Sequence, residues 1–152
     1  MGLHYKGFLI SLLILLPNFL LLRFAPRSIP KLTSTSILFT VFERIGQITC
    51  FVLPILYGRK IAEQPIDYIT LLMGICLIIY YLCWIRFFGG GREFSLLFKP
   101  LGPIPIPMAL FPMLYFILLA YWLHSYLFVV PALIFSIGHF VNSWSVYTQI
   151  RR

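Results

Sequence analysis

The sequence is poor in acidic side chains, with four Asp and Glu against twelve Lys and Arg in 152 residues. Charged residues make up only 11% of the chain, whereas a soluble domain carries about 25%. Hydrophobic residues make up 61%, and the mean hydropathy is +0.95. A water-soluble fold of this size cannot bury so much apolar surface. The composition therefore predicts an all-α, polytopic integral membrane helix bundle, in which residues 1–152 form a single domain.

Chemical motifs are also lacking. The three cysteines, Cys50, Cys76 and Cys83, lie in apolar stretches without metal-ligand spacing, which predicts buried thiols and no metal site. No motif indicates a cofactor, so the cofactor is unknown. Pro17 and Asn18 interrupt the first apolar run, which predicts a retained span rather than a cleaved signal peptide. Short loops without Asn-x-Ser/Thr sequons favour a bacterial cytoplasmic (inner) membrane.

The apolar runs divide into five segments, and a membrane helix needs about 20 apolar residues. No Asp, Glu, Lys or Arg occurs between Lys99 and Arg151, so this stretch is long enough to cross twice, with a polar break at His124 and Ser125. The predicted spans are residues 4–22, 36–57, 68–88, 107–123 and 126–146.

The basic residues predict the orientation, because Lys and Arg in short loops accumulate on the cytoplasmic side. Five spans with the N-terminus outside and the C-terminus inside give eight cytoplasmic and three outer cations. The cytoplasmic group is Arg23, Arg27, Lys31, Arg86, Arg92, Lys99, Arg151 and Arg152, and the outer group is Lys6, Arg59 and Lys60. Isolated cations between apolar runs are typical of membrane loops and not of a nucleic-acid-binding face, so no nucleic acid is expected as a partner.

The connection formed by residues 89–106 is rich in glycine and proline and is predicted to be a cytoplasmic loop. Its apolar residues between Phe94 and Phe98 fit two interpretations. In the first they lie along the membrane surface while Arg92 and Lys99 contact lipid phosphates. In the second the segment is a plain apolar linker.

Glu43 and Arg44 are the acid and the base inside a predicted span. Ionisable groups at such depth usually face the bundle interior, which makes them the first candidates for function. Glu43 shares a helix face with Gln47, whereas Arg44 is rotated by about 100° from Glu43, which predicts that both have partners on other helices.

Polar residues on other spans fall at a similar depth, in the cytoplasmic half. A rise of about 1.5 Å per residue places His139, Asn142 and Asn18 near the level of Glu43, together with Tyr80 and Tyr115. We therefore predict an intramembrane pocket that opens to the cytoplasm, with Glu43, Arg44, Gln47, His139 and Asn142 as its candidate residues.

Structural roles remain open for each of these residues. Glu43 and Arg44 could form an ion-pair network that locks helices together. His139 is more often an interhelical hydrogen-bonding residue than a ligand or proton carrier. Asn18 could satisfy a carbonyl freed by Pro17.

The pocket favours a transporter or channel-type protein, or an accessory subunit of a larger membrane complex. The lipid bilayer is its expected environment, and a homo-oligomer would supply the symmetry that five spans lack. The alternative is a membrane-embedded enzyme that acts on a lipid-like or phosphate-bearing substrate from the cytoplasmic side. In that case Arg86, Arg92 and Lys99 would hold an anionic group such as a lipid headgroup. With no second carboxylate and no nucleophile motif, the sequence favours a non-enzymatic role.

Overall fold

The computed structural model describes residues 2–151 and is all-α over that range. Four of its helices are long and apolar enough to cross a membrane, and a shorter apolar helix packs among them, so the chain forms a helical membrane bundle. The helices are α1 (Tyr5–Arg23), α2 (Ile37–Leu56), α3 (Gly58–Glu63), α4 (Tyr68–Gly89), a 3-10 helix (Phe94–Phe98), α5 (Pro107–Trp122) and α6 (Tyr126–Ile150).

Each of the five predicted spans corresponds to one helix, and all ends but one agree within one residue. Helix α6 continues to Ile150, four residues beyond the predicted end. Helix α5 has 16 residues, which corresponds to about 24 Å, less than the roughly 30 Å of a bilayer core. It can be short because it is the innermost helix: in its middle and last turns the exposed residues, Leu114, Ile117 and Tyr121, form one narrow stripe.

The five long helices run alternately up and down, so the bundle has two ends. We call the end formed by residues 24–36, residues 90–106 and Arg151 the basic end. The opposite end, formed by residues 57–67 and 123–125, is called the hairpin end. It includes the short helix α3, which the sequence did not predict because six residues carry too little periodicity. Which membrane face each end occupies remains a prediction.

Helices α2 and α6 form the most extensive helix pair, and two glycines explain their close approach. A Cβ atom added to Gly138 would lie 2.4 Å from the Glu43 nitrogen and 2.6 Å from the Phe39 oxygen. A Cβ atom added to Gly46 would lie 2.4 Å from the Phe135 nitrogen. Small residues at such positions let membrane helices pack backbone against backbone. This contact fixes the register in which α2 faces α6.

The 3-10 helix packs inward onto the end of the bundle. Leu96 and Leu97 pack against the main hydrophobic core of the bundle. Arg86 holds the following residues in place, because its guanidinium donates hydrogen bonds to the carbonyl oxygens of Lys99 (2.6 Å) and Pro100 (3.0 Å). The segment therefore covers the basic end of the bundle.

Candidate functional site

The structure brings Glu43, His139 and Asn142 together where α2 crosses α6. The Glu43 carboxylate accepts a hydrogen bond from His139 Nδ1 at 2.7 Å and another from Asn142 Nδ2. Asn142 Oδ1 in turn accepts from the hydroxyl of Thr35, which precedes α2. Because an ionised carboxylate can only accept, the bond requires a proton on Nδ1; in the neutral imidazole the second ring nitrogen is then an acceptor.

Packing holds this cluster in one geometry. Gly138, next to His139, lies against the backbone of Glu43, so the two side chains meet directly. The Phe135 ring, one turn earlier on α6, stacks on the imidazole with centroids 5.0 Å apart and planes inclined by 20°. The side chains of Glu43 and His139 are each 22% exposed. The pair is therefore mostly buried but open on one side.

His139 lies at the wall of a central cavity of about 190 Å³. Helices α1, α2, α4 and α6 all contribute polar side chains to this wall. These side chains are Asn18, Gln47, Tyr80, Trp84, His139 and Ser143. Gln47 and Ser143 make no side-chain hydrogen bond with another residue between 2 and 151, and the buried indole N–H of Trp84 has no partner in that range either. The wall therefore retains hydrogen-bonding capacity.

The apolar part of the cavity wall combines three phenylalanine rings with aliphatic side chains. Phe51 from α2, Phe135 from α6 and Phe98 from the 3-10 helix line it, together with one side of α5. Toward the hairpin end, the core is closed by fully buried side chains such as Leu119, Phe128 and Ala132. The cavity thus lies in the half of the bundle next to the basic end.

Asn18 has a different role from the one considered for it. The carbonyl freed by Pro17 is that of Leu13, and it accepts a hydrogen bond from the Tyr81 hydroxyl at 2.7 Å. Asn18 Nδ2 instead donates to the Ile14 carbonyl at 3.1 Å and to the Tyr80 hydroxyl at 3.0 Å. Asn18 and Tyr80 therefore join α1 to α4 at the cavity wall. The hydroxyl of Tyr115 points elsewhere, toward the Ile10 carbonyl at 3.5 Å.

Arg44 does not belong to the cluster, and its assignment to the pocket was wrong. Its side chain is exposed on the outer side of α2 and does not line the cavity. Among residues 2–151, one carboxylate lies within 4 Å of a basic side chain: Glu43 contacts His139. Glu43 is therefore not the ion-pair partner of Arg44. A long arginine side chain on a lipid-facing surface can reach toward the polar membrane surface.

The three cations considered for an anionic group do not meet at one site. The Arg86 guanidinium is bonded to loop carbonyls, and Lys99 is exposed. Arg92 places its guanidinium 5.8 Å from the centroid of the Phe24 ring, and Arg23 lies at the same distance from that ring. None of the three lines the central cavity.

Among the cavity residues missed as site candidates are Phe51, Trp84, Phe98, Phe135 and Ser143. Helical spacing carried a signal for three of them, because Trp84 is one turn beyond Tyr80, and Phe135 and Ser143 are one turn before and one turn beyond His139. Phe98 carried no such signal, since it comes from the irregular segment.

Fold and site together define an integral membrane helix bundle with a polar cavity in one half. No family model, no curated protein and no solved structure matches this chain. The functional argument therefore depends on the site itself.

Proposed function

We propose that this protein is a transporter that takes up a small solute into the central cavity from the basic end. One observation carries the proposal. Polar side chains from α1, α2, α4 and α6 converge on a cavity inside a membrane bundle, and several of them have no hydrogen-bond partner among residues 2–151. Polar groups inside a membrane are costly, and those that face a common cavity typically mark a solute pathway.

The cavity dimensions limit the solute. Its volume of about 190 Å³ is below the roughly 300 to 1,000 Å³ of pockets that hold drug-sized ligands. Gln47 and Ser143 each offer both a donor and an acceptor, while the aromatic side chains supply apolar contact. The solute is therefore a small molecule with a polar group and an apolar part.

Transport requires that the apolar plug toward the hairpin end opens at some stage. Helices α2, α5 and α6 contain Pro54, Pro112 and Pro131, each of which is buried. Proline removes one backbone hydrogen bond from a helix and is a common point of bending. We propose that these prolines let the hairpin-end half move relative to the cavity.

Alternating access predicts that a cavity thiol reacts from both membrane faces. We expect Ser143→Cys, in a background without the three native cysteines, to react with a small impermeant thiol reagent quickly from the basic-end face. From the hairpin-end face we expect a labelling rate that is lower by a factor of about ten or more. Reaction from that face first requires the apolar plug to open, which costs roughly 1.4 kcal/mol or more. Labelling rates in sealed vesicles of both orientations measure this.

The matched control is Ser136→Cys, two turns away on the same helix and outside the cavity wall, where the hydroxyl bonds to the Ala132 carbonyl at 2.7 Å. It should react slowly from both faces. Reaction of Ser143→Cys from the basic-end face alone would contradict transport and favour a one-sided binding protein or enzyme. No reaction from either face would argue against a solute pocket and favour an accessory subunit.

A membrane-embedded enzyme is the second candidate, and one observation favours it. The Glu43–His139 pair has the arrangement of a carboxylate that orients an imidazole for proton transfer. Ser143 lines the same cavity one turn further along α6. One observation argues against a phosphate-bearing substrate: no Lys or Arg in the part of the chain that the structure describes lines the cavity, so an anionic group would lie at its mouth.

We propose that the basic end is cytoplasmic, in a bacterial inner membrane, because the short loops at that end carry most of the basic residues. Cysteine placed at Ser125, in the hairpin-end turn, should therefore react with an impermeant thiol reagent added outside intact cells. Cysteine at Ser28 in the basic-end loop is the matched control and should react only after lysis. The reverse pattern would invert the orientation.

Anionic lipid headgroups are the proposed partners of the basic end. Arg23 and Arg92 place two cationic groups around the single ring of Phe24, without a carboxylate within 4 Å among residues 2–151. A lipid phosphate between them would offset their mutual repulsion. Such contacts would anchor the 3-10 segment that covers the cavity.

A further inference from the structure

We infer that the solute bound in the central cavity is a small organic ammonium ion. This inference rests on the proposed solute-binding role of the cavity and names the chemical class of the ligand. Two features of the site carry it: the charge balance around Glu43 and the aromatic wall.

The charge balance favours a cation. No Lys or Arg of the described residues 2–151 lines the cavity, and the carboxylate of Glu43 is hydrogen-bonded to the lining residue His139. Arg44 is on the outer side of α2. Lys99, next to the lining residue Phe98, is exposed, and the Arg86 guanidinium is bonded to the loop carbonyls of residues 99 and 100. The carboxylate therefore lies one imidazole ring away from the cavity without a permanent cation as its partner.

The aromatic wall also favours a cation. Five rings line the cavity, and the faces of Trp, Tyr and Phe attract cations within about 6 Å of the ring centroid. Tyr80 and Trp84 are fixed edge to face with centroids 6.0 Å apart. Phe135 is held by its stacking on His139. The five rings are those of Phe51, Tyr80, Trp84, Phe98 and Phe135.

Hydrogen-bond acceptors for an ammonium N–H are present in the same wall. In the neutral imidazole the second nitrogen of His139 is an acceptor, since Nδ1 donates to Glu43. Gln47 and Ser143 add oxygen atoms that bond to no described residue. An ammonium group placed among them would meet acceptors near the carboxylate, while its apolar substituent contacts the rings.

Three probes of nearly equal shape test the charge directly: benzylammonium, benzyl alcohol and benzoate. Each is added to vesicles that contain the Ser143→Cys protein, and its ability to slow thiol labelling from the basic-end face is measured. We expect benzylammonium to protect at a concentration at least about tenfold lower than benzyl alcohol, and benzoate to protect least. When Glu43→Gln is added to the same protein, the protective concentrations of benzylammonium and benzyl alcohol should come to within about twofold of each other.

Phe98→Leu is the second variant, because it changes the covering segment and leaves the α2–α6 contact intact. Loss of one ring face should weaken the protection by benzylammonium, relative to that by benzyl alcohol, by about two- to fivefold. If neither Glu43→Gln nor Phe98→Leu changes the ratio of the protective concentrations of benzylammonium and benzyl alcohol, the assignment of the carboxylate and the rings as the cation site is overturned.

The outcomes separate this inference from the proposed function. Equal protection by benzyl alcohol, or stronger protection by benzoate, overturns the ammonium inference while the cavity remains a binding site. Protection by none of the three probes also overturns it, and the two-sided labelling of Ser143→Cys then decides independently whether the protein is a transporter.

Discussion

Replacing Glu43 by alanine is expected to lower the free energy of unfolding by about 1 to 3 kcal/mol. The change removes two hydrogen bonds between α2 and α6. Each interhelical hydrogen bond in a membrane contributes about 0.6 to 1.7 kcal/mol. Glu43→Gln should cost about 1 kcal/mol or less. Its amide oxygen accepts from Asn142, and its amide group can donate to His139 once the imidazole proton moves to the other nitrogen. Thermal or denaturant unfolding in detergent measures both changes.

Arg44→Gln is the matched control, since it removes the charge next to Glu43 in sequence. Arg44 makes no ion pair with Glu43 in the structure, so the single change should have little effect. The two side chains point about 100° apart on α2, and Arg44 bonds to neither partner of Glu43, so the effects of Glu43→Ala and Arg44→Gln should add within about 0.5 kcal/mol in the double variant. Recovery of stability in the double variant would show that the two residues are an ion pair, contrary to the geometry described above.

The helices were predictable because lipid imposes a simple rule on sequence. A crossing segment needs a long apolar run, and the runs are separated by charged or proline-rich loops. Even the hairpin of α5 and α6, which lacks charge altogether, was separable because its length exceeds one crossing. The six-residue helix α3 was not predictable, since it follows α2 after Tyr57 and shows no apolar face of its own.

The cluster of Glu43, His139 and Asn142 could be anticipated because polar side chains in a span are costly and depth follows from the helical rise. Depth does not give direction around the helix axis, however. Glu43 and Arg44 have nearly the same depth but point about 100° apart, so one faces α6 and the other faces outward. The glycines that fix this rotation are Gly46 and Gly138, and their partners lie on the opposite helix.

The aromatic wall of the cavity could be predicted only in part, since helical spacing connects Trp84 to Tyr80 but gives no signal for Phe98. Aromatic residues occur throughout the chain, 18% in all, so a single Phe or Trp does not indicate a ligand site. Phe98 reaches the cavity only because the segment around it folds inward. That position depends on the bonds from Arg86 to the carbonyls of residues 99 and 100, which link groups at least 13 residues apart in the chain.

The close contact of α2 and α6 leads to the second large effect, which concerns Gly138. A Cβ atom at this position would lie 2.4 Å from the Glu43 nitrogen, 2.6 Å from the Phe39 oxygen and 2.8 Å from the Glu43 Cα. All three are backbone atoms, so no side-chain rotation relieves the clash. Gly138→Leu must push the helices apart and is expected to lower the free energy of unfolding by about 1 to 3 kcal/mol or more. Gly138→Ala should act in the same direction.

Gly74 on α4 provides the matched control, since an added Cβ there meets no atom within 4 Å. Gly74→Ala should leave stability unchanged or raise it by up to about 1 kcal/mol, because alanine is the better helix former. Separation of α2 from α6 also draws Glu43 away from His139, so Gly138→Leu should abolish the preference for benzylammonium, and Gly74→Ala should retain it. A Gly138→Leu protein with the stability and the ligand preference of the parent would mean that the two backbones do not touch at this point, and the cluster would then need another explanation for its geometry.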